Sequence, residues 1–299
     1  MTNFPKITKK DSNHIKRLRG GFLMAFIGFG AMLVGGLPFV ILCSILFCVA
    51  TQELIKLSHF SKLQPPQKPI LVLMALFPFF AAFNHNLHDF WLLISVIVTL
   101  AYLLFGSVNG TKIQAGLSDM AVSIFILVYV GWFGSHIIML RFLDEPFGFF
   151  SLNFKDLGIL YALTVICAVV INDIASYYFG KAFGKTKLAE KISPNKTIKG
   201  SICGILFGSL MALFLIHFVG ASYFGFKMQW PFSILLALII NSLAQLGDLI
   251  ESMMKRAAGV KDAGELIEGH GGILDRFDSH ILPYVFTLYF FKIYNFYFS

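Results

Sequence analysis

The amino-acid sequence predicts an all-α integral membrane protein, a polytopic helical bundle of about nine transmembrane helices. Of the 299 residues, 57% are hydrophobic and only 13% are charged, and the mean hydropathy is +0.76. A water-soluble domain of this length needs roughly a quarter of its positions charged to cover its surface. Windows of about 20 apolar residues, long enough to cross the hydrocarbon layer, recur along the chain. Lipid is therefore the expected solvent for most of the chain.

Nine apolar windows, separated by charged residues, proline or glycine, are the predicted spans. The first two share one apolar stretch, in which Gly35, Gly36 and Pro38 predict a tight turn. The sequence shows no internal repeat or linker, so residues 20–299 are expected to form one membrane domain after a basic segment, residues 1–19. The windows are approximately residues 21–38, 39–57, 69–83, 90–105, 121–140, 157–179, 202–219, 232–250 and 280–297.

The distribution of lysine and arginine predicts the topology. If residues 1–19 are cytoplasmic, the loops alternate, and most basic residues fall in inner loops, as the positive-inside rule expects. The two most charged loops, residues 180–200 and 251–279, then face the cytoplasm of a bacterial inner (plasma) membrane, where nucleotides are found. The net charge of +8 lies in short runs between apolar segments rather than along one face, so no nucleic-acid partner is expected.

A charged segment from Asp248 to Asp278 is the predicted active site. An ionised carboxylate at the end of an apolar span, such as that of Asp248, is costly unless it is paired or binds a metal. Asp275 and Asp278 are spaced i, i+3, so a helix would place both on one face. Together with Asp248 they offer oxygen donors suited to Mg²⁺, and these three aspartates are the predicted metal ligands.

Basic and glycine residues of the same segment are suited to binding phosphate. Guanidinium and ammonium groups neutralise phosphate oxygens, and glycines let backbone N–H groups approach them closely. Carboxylates, cations and glycines in one short segment are typical of metal-assisted phosphoryl or nucleotidyl transfer. The residues are Lys255, Arg256, Lys261, Arg276, Gly269, Gly271 and Gly272.

This segment resembles the signature of the phosphatidate cytidylyltransferases, also called CDP-diacylglycerol synthases. Polar and glycine positions agree in both identity and spacing. Glu268 departs from the pattern, because the family usually has proline before Gly-His-Gly-Gly. The matching residues are Ser252, Lys255, Arg256, Lys261, Asp262 and the run Gly-His-Gly-Gly-Ile-Leu-Asp-Arg-Phe-Asp-Ser at residues 269–279.

The resemblance extends upstream to three further stretches of the C-terminal half. Asn241, Gln245 and Asp248 are similar to the polar end of the family's penultimate span, and Asp173 falls in a segment similar to its Asp-x-x-Ala-Tyr-x-x-Gly. Residues 193–200 are similar to Ser-Pro-Lys-Lys-Thr-x-Glu-Gly, where Asn195 and Lys199 depart. The lysine reverses a charge, so the role of the family glutamate does not carry over. The N-terminal half matches only in its apolar layout.

The resemblance implies transfer of a cytidylyl group from CTP to phosphatidic acid, giving CDP-diacylglycerol and pyrophosphate with Mg²⁺ as cofactor. Asp248 and Asp275 would be the first metal ligands and Asp278 the third. His270 would contact phosphate or protonate the leaving pyrophosphate. Catalytic roles would fall to Asp248, Lys255, Arg256, Lys261, Asp262, His270, Asp275, Arg276 and Asp278, and substrate binding to Asp173, Ser193, Lys196, Thr197, Asn241, Gln245, Ser252, Gly271 and Gly272.

Other functions remain open from the residues alone. A CTP-dependent lipid-alcohol kinase, or a cytidylyltransferase for another lipid phosphate, would share the charged core. An ion-coupled transporter also places Asp and Asn inside spans, but a long glycine-rich loop containing lysine and arginine has no role in a transport path.

A P-loop at residues 180–186 is not predicted, because three residues, not four, separate its glycines. The residues do not determine the oligomeric state, and a homodimer is among the alternatives. His85, His88 and Asp89 are expected in a short outer loop.

Overall fold

The computed structural model describes residues 26–108, 116–144, 147–150, 152–261 and 272–298. Throughout these ranges the chain is helical apart from one two-stranded hairpin and short connections. The predicted all-α architecture is therefore confirmed. The helices are α1 (residues 26–34), α2 (Gly36–Phe60), α3 (Gln67–Phe83), α4 (His85–Val108), α5 (Leu117–Ile126), α6 (His136–Arg141), α7 (Leu157–Phe183), α8 (Ile198–Phe214), α9 (Trp230–Ala257) and α10 (Leu274–Phe298).

Six helical stretches within the described residues are long and apolar enough to cross a membrane. Two of them contain wider π-helical turns, Leu127–Phe133 between α5 and α6 and Leu215–Phe224 after α8. Helix α3 is apolar but shorter, and α10 is not among the six. A polytopic membrane protein is confirmed, whereas the count of nine spans is not. The six are Gly36–Phe60, His85–Gly106, Leu117–Arg141, Leu157–Phe183, Ile198–Phe224 and Trp230–Ala257.

The predicted interruption of the first apolar stretch is present at Gly35. Both Gly35 (φ 62°) and Gly36 (φ 56°) have the positive φ that glycine adopts without strain. The backbone N–H of Leu37 donates to the carbonyl oxygen of Phe149 at 3.0 Å, and a Cβ atom on Gly36 would overlap that carbonyl. Glycine is needed here because another segment of backbone packs directly against the break.

The expected outer loop around His85, His88 and Asp89 is wrong, because these residues form the first turn of α4. Only Asn84 separates α3 from α4, and its Oδ1 accepts a hydrogen bond from the N–H of Asn86 at 2.7 Å, which caps the new helix. His88 is fully buried and contacts Ser135 Oγ at 2.5 Å through Nε2. Its polar group ties α4 to the segment that leads into α6.

The charged loop at residues 180–200 contains an antiparallel hairpin that the sequence did not predict. Strand β1 (Lys187–Ala189) pairs with β2 (Ser193–Thr197), with Lys187 opposite Thr197 and Ala189 opposite Ser193. Thr197 ends β2 and its Oγ1 accepts from the N–H of Gly200 at 3.2 Å, which caps α8. The hairpin is thereby attached directly to the start of a membrane helix.

Helices α7 and α8 pack closely because α8 presents glycine to its neighbour. A Cβ atom on Gly204 would overlap Asn172 and Ser176 of α7, and one on Gly208 would overlap Asn241 of α9. Small residues allow such close approach in lipid, where polar side chains then form hydrogen bonds between helices. This packing fixes the three helices that carry most of the predicted site.

A fully buried ion pair connects α6 and α7. Arg141 Nη1 pairs with Asp156 Oδ2, and both side chains are completely buried. Arg141 Nε also donates to the carbonyl oxygen of Met32 at 2.9 Å, and Asp156 Oδ1 accepts from the N–H of Gly158 at 2.8 Å, capping α7. Each charge is neutralised and hydrogen-bonded, as burial requires.

Replacing one member of this pair should destabilise the fold. Arg141→Ala leaves Asp156 buried without its cation, and we expect the free energy of unfolding to fall by about 3–5 kcal/mol. Unfolding by SDS, followed by circular dichroism in mixed micelles, measures the change. Lys155→Ala removes an exposed charge next to the pair and serves as the control. An Arg141→Ala protein as stable as this control would contradict the prediction.

Candidate active site

The candidate site lies where four segments meet: the end of α7 with the hairpin, the C-terminal turns of α9, and the N-terminal turn of α10. Two ion pairs join them. Lys196 Nζ of β2 lies 2.6 Å from Asp248 Oδ2 of α9, and Lys255 Nζ of α9 lies 2.6 Å from Asp275 Oδ1 of α10. Segments about fifty and about twenty residues apart in sequence therefore meet through opposite charges.

The last three turns of α9 place their polar residues on one face. Asp248, Ser252 and Lys255 are three or four residues apart, the spacing that aligns side chains along a helix. Ser252 Oγ donates to Asp248 Oδ1 at 3.3 Å, and Lys255 pairs with Glu251 one turn before it. This face carries one end of the site.

Lys255 holds two carboxylates, and one of them was not predicted. Glu251 is fully buried and Lys255 is 13% exposed, so the ammonium group donates to a carboxyl group that has no access to water and would otherwise lack a polar partner. The spacing i, i+4 between Glu251 and Lys255 was the available sequence signal. Burial opposes ionisation of Asp275, but hydrogen bonds from Glu251, Lys255 and the Gly272 N–H outweigh it and lower the pKa of Asp275 below its ordinary value.

At the start of α10, carboxylates accept hydrogen bonds from backbone N–H groups that have no partner within the helix. Asp275 Oδ2 accepts from the N–H of Gly272 at 2.8 Å. Glu53 of α2 accepts from Ile273 at 3.0 Å through Oε1 and from Leu274 at 2.8 Å through Oε2. Glu53 was missed by the sequence-based prediction, since it lies in an apolar span and its partners are backbone groups.

Within the described part of the chain, Arg256 connects α9 to the hairpin through backbone carbonyl groups. Its Nε donates to the carbonyl oxygen of Ile192 and its Nη1 to that of Val260, each at 3.2 Å. The guanidinium group is exposed, and its predicted role in binding phosphate stays a prediction. The observed contacts fix the hairpin, and with it Lys196, relative to α9.

Asn241 and Gln245 lie deeper along α9, in a polar network between helices. The fully buried Asn241 donates from Nδ2 to Ser209 Oγ at 3.4 Å and to the Ala237 carbonyl at 2.8 Å. Gln245 Nε2 donates to Asn172 Oδ1 and to the Ser201 carbonyl, both at 2.9 Å. These contacts give both amides a packing role, and their predicted substrate contacts stay a prediction.

A second group of carboxylates consists of Asp173, Asp248 and Asp278, whose charges interact. Asp278 is 6% exposed, and its Oδ1 accepts from the N–H of Ser279 at 2.6 Å. Asp278 precedes the predicted span that begins at residue 280. Burial, and then the negative charge of Asp248 and more weakly that of Asp173, raise the pKa of Asp278 to about 7. Negative charge thus accumulates at this point of the site.

The metal prediction can be compared with these contacts. Among the described residues, no group of three or more His, Cys, Asp or Glu side chains is arranged to hold a metal ion, so Asp248, Asp275 and Asp278 do not form a preassembled three-carboxylate site. Mg²⁺ in nucleotide sites needs only one or two carboxylates, with substrate phosphates and water as the other ligands. The mutually repelling carboxylates of Asp248 and Asp278 fit that requirement, because a hard cation would relieve the repulsion.

The remaining predicted residues differ in their exposure. Ser193 is half-buried in β2, Lys261 and Arg276 are exposed, and Gly272 is buried against Glu53. Three predicted residues, Asp262, His270 and Gly271, lie outside the described residues.

Carboxylates and lysines gathered at one end of an apolar helical bundle define an integral membrane protein with a site suited to phosphate-bearing substrates. A model of the cytidylyltransferase family matches residues 15–294, and the chain belongs to that family. The resemblance inferred from the motifs is thereby confirmed.

Curated relatives of the chain carry a more specific name. The phosphatidate cytidylyltransferase of Synechocystis sp. is 32% identical over 284 residues, which cover 88% of this chain and 92% of the relative. That of Bacillus subtilis is 32% identical over 285 residues, covering 91% and 96%. That of Staphylococcus aureus is 32% identical over 256 residues, covering 84% and 90%. The similarity therefore includes both the N-terminal helices and the charged segment.

The two backbone contacts of Arg256 predict a structural role that requires a guanidinium group and not only a positive charge. An ammonium group cannot reproduce donors pointing at both Ile192 and Val260, so Arg256→Lys should loosen the hairpin. We expect amide hydrogen exchange in β1 and β2 to accelerate by about tenfold, equivalent to about 1.4 kcal/mol or one hydrogen bond. Lys191→Arg, an exposed substitution in the hairpin turn, should leave exchange unchanged. Equal exchange in wild type and Arg256→Lys would show that the contacts do not hold the hairpin.

Proposed function

We propose that this protein transfers the cytidylyl group of CTP to phosphatidic acid, giving CDP-diacylglycerol and pyrophosphate. The observation that carries the proposal is that two ion pairs, Lys196–Asp248 and Lys255–Asp275, are present. They join the three motif segments into one charged site. Membership of the cytidylyltransferase family and the names of the relatives support it. The reaction also matches the site chemically, since both substrates are phosphate anions and the lipid one resides in the membrane.

In the proposed reaction, a phosphate oxygen of phosphatidic acid attacks the α-phosphorus of CTP. The bond from the α-phosphorus to the bridging oxygen breaks, and pyrophosphate leaves with the electron pair. The nucleophile is already anionic, so no side chain has to act as nucleophile or general base. The protein contributes by holding the two phosphates in line and neutralising their charge. Lys196 and Lys255 are the described cations closest to the carboxylate cluster that can do so.

A divalent cation, Mg²⁺, would be held by Asp248 and Asp278 together with substrate phosphate oxygens, with Asp275 next to them on α10. When bound, it would neutralise the triphosphate and polarise the phosphorus under attack. Asp275 uses both oxygens for Lys255 and Gly272 in this structure. Its predicted place as a metal ligand would therefore require it to share those oxygens or to exchange a partner.

The proposed orientation places this site on the cytoplasmic side of a bacterial plasma membrane. CTP is available there, and the lysine-rich hairpin beside Lys196 follows the positive-inside tendency. Phosphatidic acid would enter from the adjoining leaflet with its headgroup at the level of Asp248. A thiol-reactive, membrane-impermeant label applied to single-cysteine variants at Lys191 and Asp144 would report which loop faces outward. The homodimer option is tested by light scattering of the purified protein in detergent.

The activity is tested with purified protein in detergent micelles, α-labelled CTP, phosphatidic acid and Mg²⁺. We expect labelled CDP-diacylglycerol and pyrophosphate in equal amounts, with no product when phosphatidic acid is omitted. Diacylglycerol offered in its place should give no lipid product. Formation of CDP and phosphorylated lipid would instead indicate a CTP-dependent lipid kinase. Ion-coupled transport in liposomes without any lipid product would contradict the proposal altogether.

Asp275→Asn should abolish turnover while leaving the protein inserted and folded. Asparagine keeps the shape and one acceptor for the Gly272 N–H, but it loses the charge that pairs with Lys255 and any carboxylate ligand for a cation. We expect the turnover rate to fall by about 100-fold or more, measured with the same two substrates. Asp144→Asn, which removes an exposed carboxylate outside the site, is the matched control. Retained activity would remove Asp275 from the catalytic machinery.

A further inference from the structure

Glu53 is an isolated acidic residue in the middle of an apolar helix. It lies in α2 between buried Thr51 and buried Leu54 and is itself 2% exposed. Its two carboxylate oxygens accept hydrogen bonds from Ile273 and Leu274, residues more than two hundred positions further along the chain. The residue therefore links the first long membrane helix to the first turn of α10.

The charge of Glu53 is compensated by a helix terminus. Among the described residues, no lysine, arginine or histidine forms an ion pair with it. A buried carboxylate without a cation is costly unless donors surround it. The N-terminus of a helix supplies unpaired N–H groups and a positive dipole end, which bind anions well. Glu53 thus takes the place of a capping side chain for α10.

Glu53 can approach the start of α10 this closely because residue 272 is glycine. A Cβ atom on Gly272 would overlap both oxygens of the Glu53 carboxylate, so the side chain lies directly against the backbone that precedes α10. Asp275 binds the N–H of Gly272 from the other side at 2.8 Å. Three consecutive backbone N–H groups, at residues 272, 273 and 274, are therefore held by two carboxylates.

The orientation of this turn determines where two aspartates of the site point. Asp275 is the second residue of α10 and Asp278 the fifth. Lys255 contacts Asp275 at 2.6 Å, and Asp278 lies near enough to Asp248 for their charges to interact. A small rotation of the first turn would move both carboxylates away from these partners. Misplacement by about 1 Å is enough to cost a reaction about 100-fold in rate.

We propose that Glu53 is a positioning residue for the reaction: by capping α10 it fixes the first turn in the orientation that aims Asp275 and Asp278 into the site. The expected effect of Glu53 on the reaction rate rests on the proposed function, whereas its effect on the structure of α10 does not. Glu53 touches no substrate in this scheme, and it acts only through the helix terminus that it binds.

The proposal is tested with Glu53→Ala and Glu53→Gln. Alanine removes both acceptors, whereas glutamine keeps the volume and one acceptor oxygen without the charge. We expect kcat per folded molecule to fall by about 10- to 100-fold in Glu53→Ala and by less in Glu53→Gln. The KM values for CTP and phosphatidic acid should change by less than about threefold, because the α9 face and the hairpin are untouched. Ser58→Ala is the matched control, because the Ser58 hydroxyl donates within α2 to the Ile55 carbonyl at 2.6 Å.

Amide hydrogen exchange gives a readout that does not depend on any substrate. The N–H groups of Ile273 and Leu274 should exchange faster in both Glu53 variants, while those of α7 and α8 keep their protection. If Glu53→Ala does not yield folded protein, Glu53→Gln carries the test. Unchanged exchange at residues 273–274 would overturn the capping role. A loss of activity that only parallels the loss of folded protein would overturn the positioning role. Absence of CTP-dependent activity in the wild type, with the exchange result as expected, would refute the proposed function alone.

Discussion

Compensation of charge inside an apolar bundle is the constraint on which the rest of this structure depends. Lys255 illustrates it, since its ammonium group binds both the fully buried Glu251 and Asp275. In the protein interior the carboxylate of Asp275 could not remain ionised without such a partner. The same lysine joins α9 to α10, so the group that makes the charges tolerable also determines how the two helices meet. One contact therefore contributes both to stability and to the geometry of the site.

The hairpin extends this arrangement beyond the helices. Lys196 reaches Asp248 from β2, and Arg256 returns from α9 to the turn of the hairpin. Two oppositely directed contacts between the same elements leave little freedom for the strands to move relative to α9. The hairpin is thereby held against α9, and Lys196 has a defined position beside Asp248.

The sequence predicted the helical membrane fold and the family, and the physical reasons can be named; the roles of the site residues stay a prediction. Apolar windows of membrane length and the break at Gly35 are local properties, and the motif residues have fixed spacing.

Glu53 could not be found in this way, because its partners are backbone N–H groups that any residue except proline supplies. The hairpin was missed because its short strands lack alternating apolar residues. His88 was assigned to a loop because polar residues are frequent from Asn84 to Asp89, whereas only Asn84 separates the two helices. The packing contacts of Asn241 were not predicted, since an amide inside a span has the same appearance in sequence whether it serves packing or binding.

The contact between Glu53 and Gly272 has a consequence for how the family can vary. The carboxylate occupies the volume that a side chain at position 272 would need, so the two positions cannot change independently. A relative with a larger residue at the second position would have to shorten or lose the acid at the first, and would then need another acceptor for the start of its last helix. The two ends of the gene are expected to show correlated substitutions across this contact, although the N-terminal half carries no recognisable motif of its own.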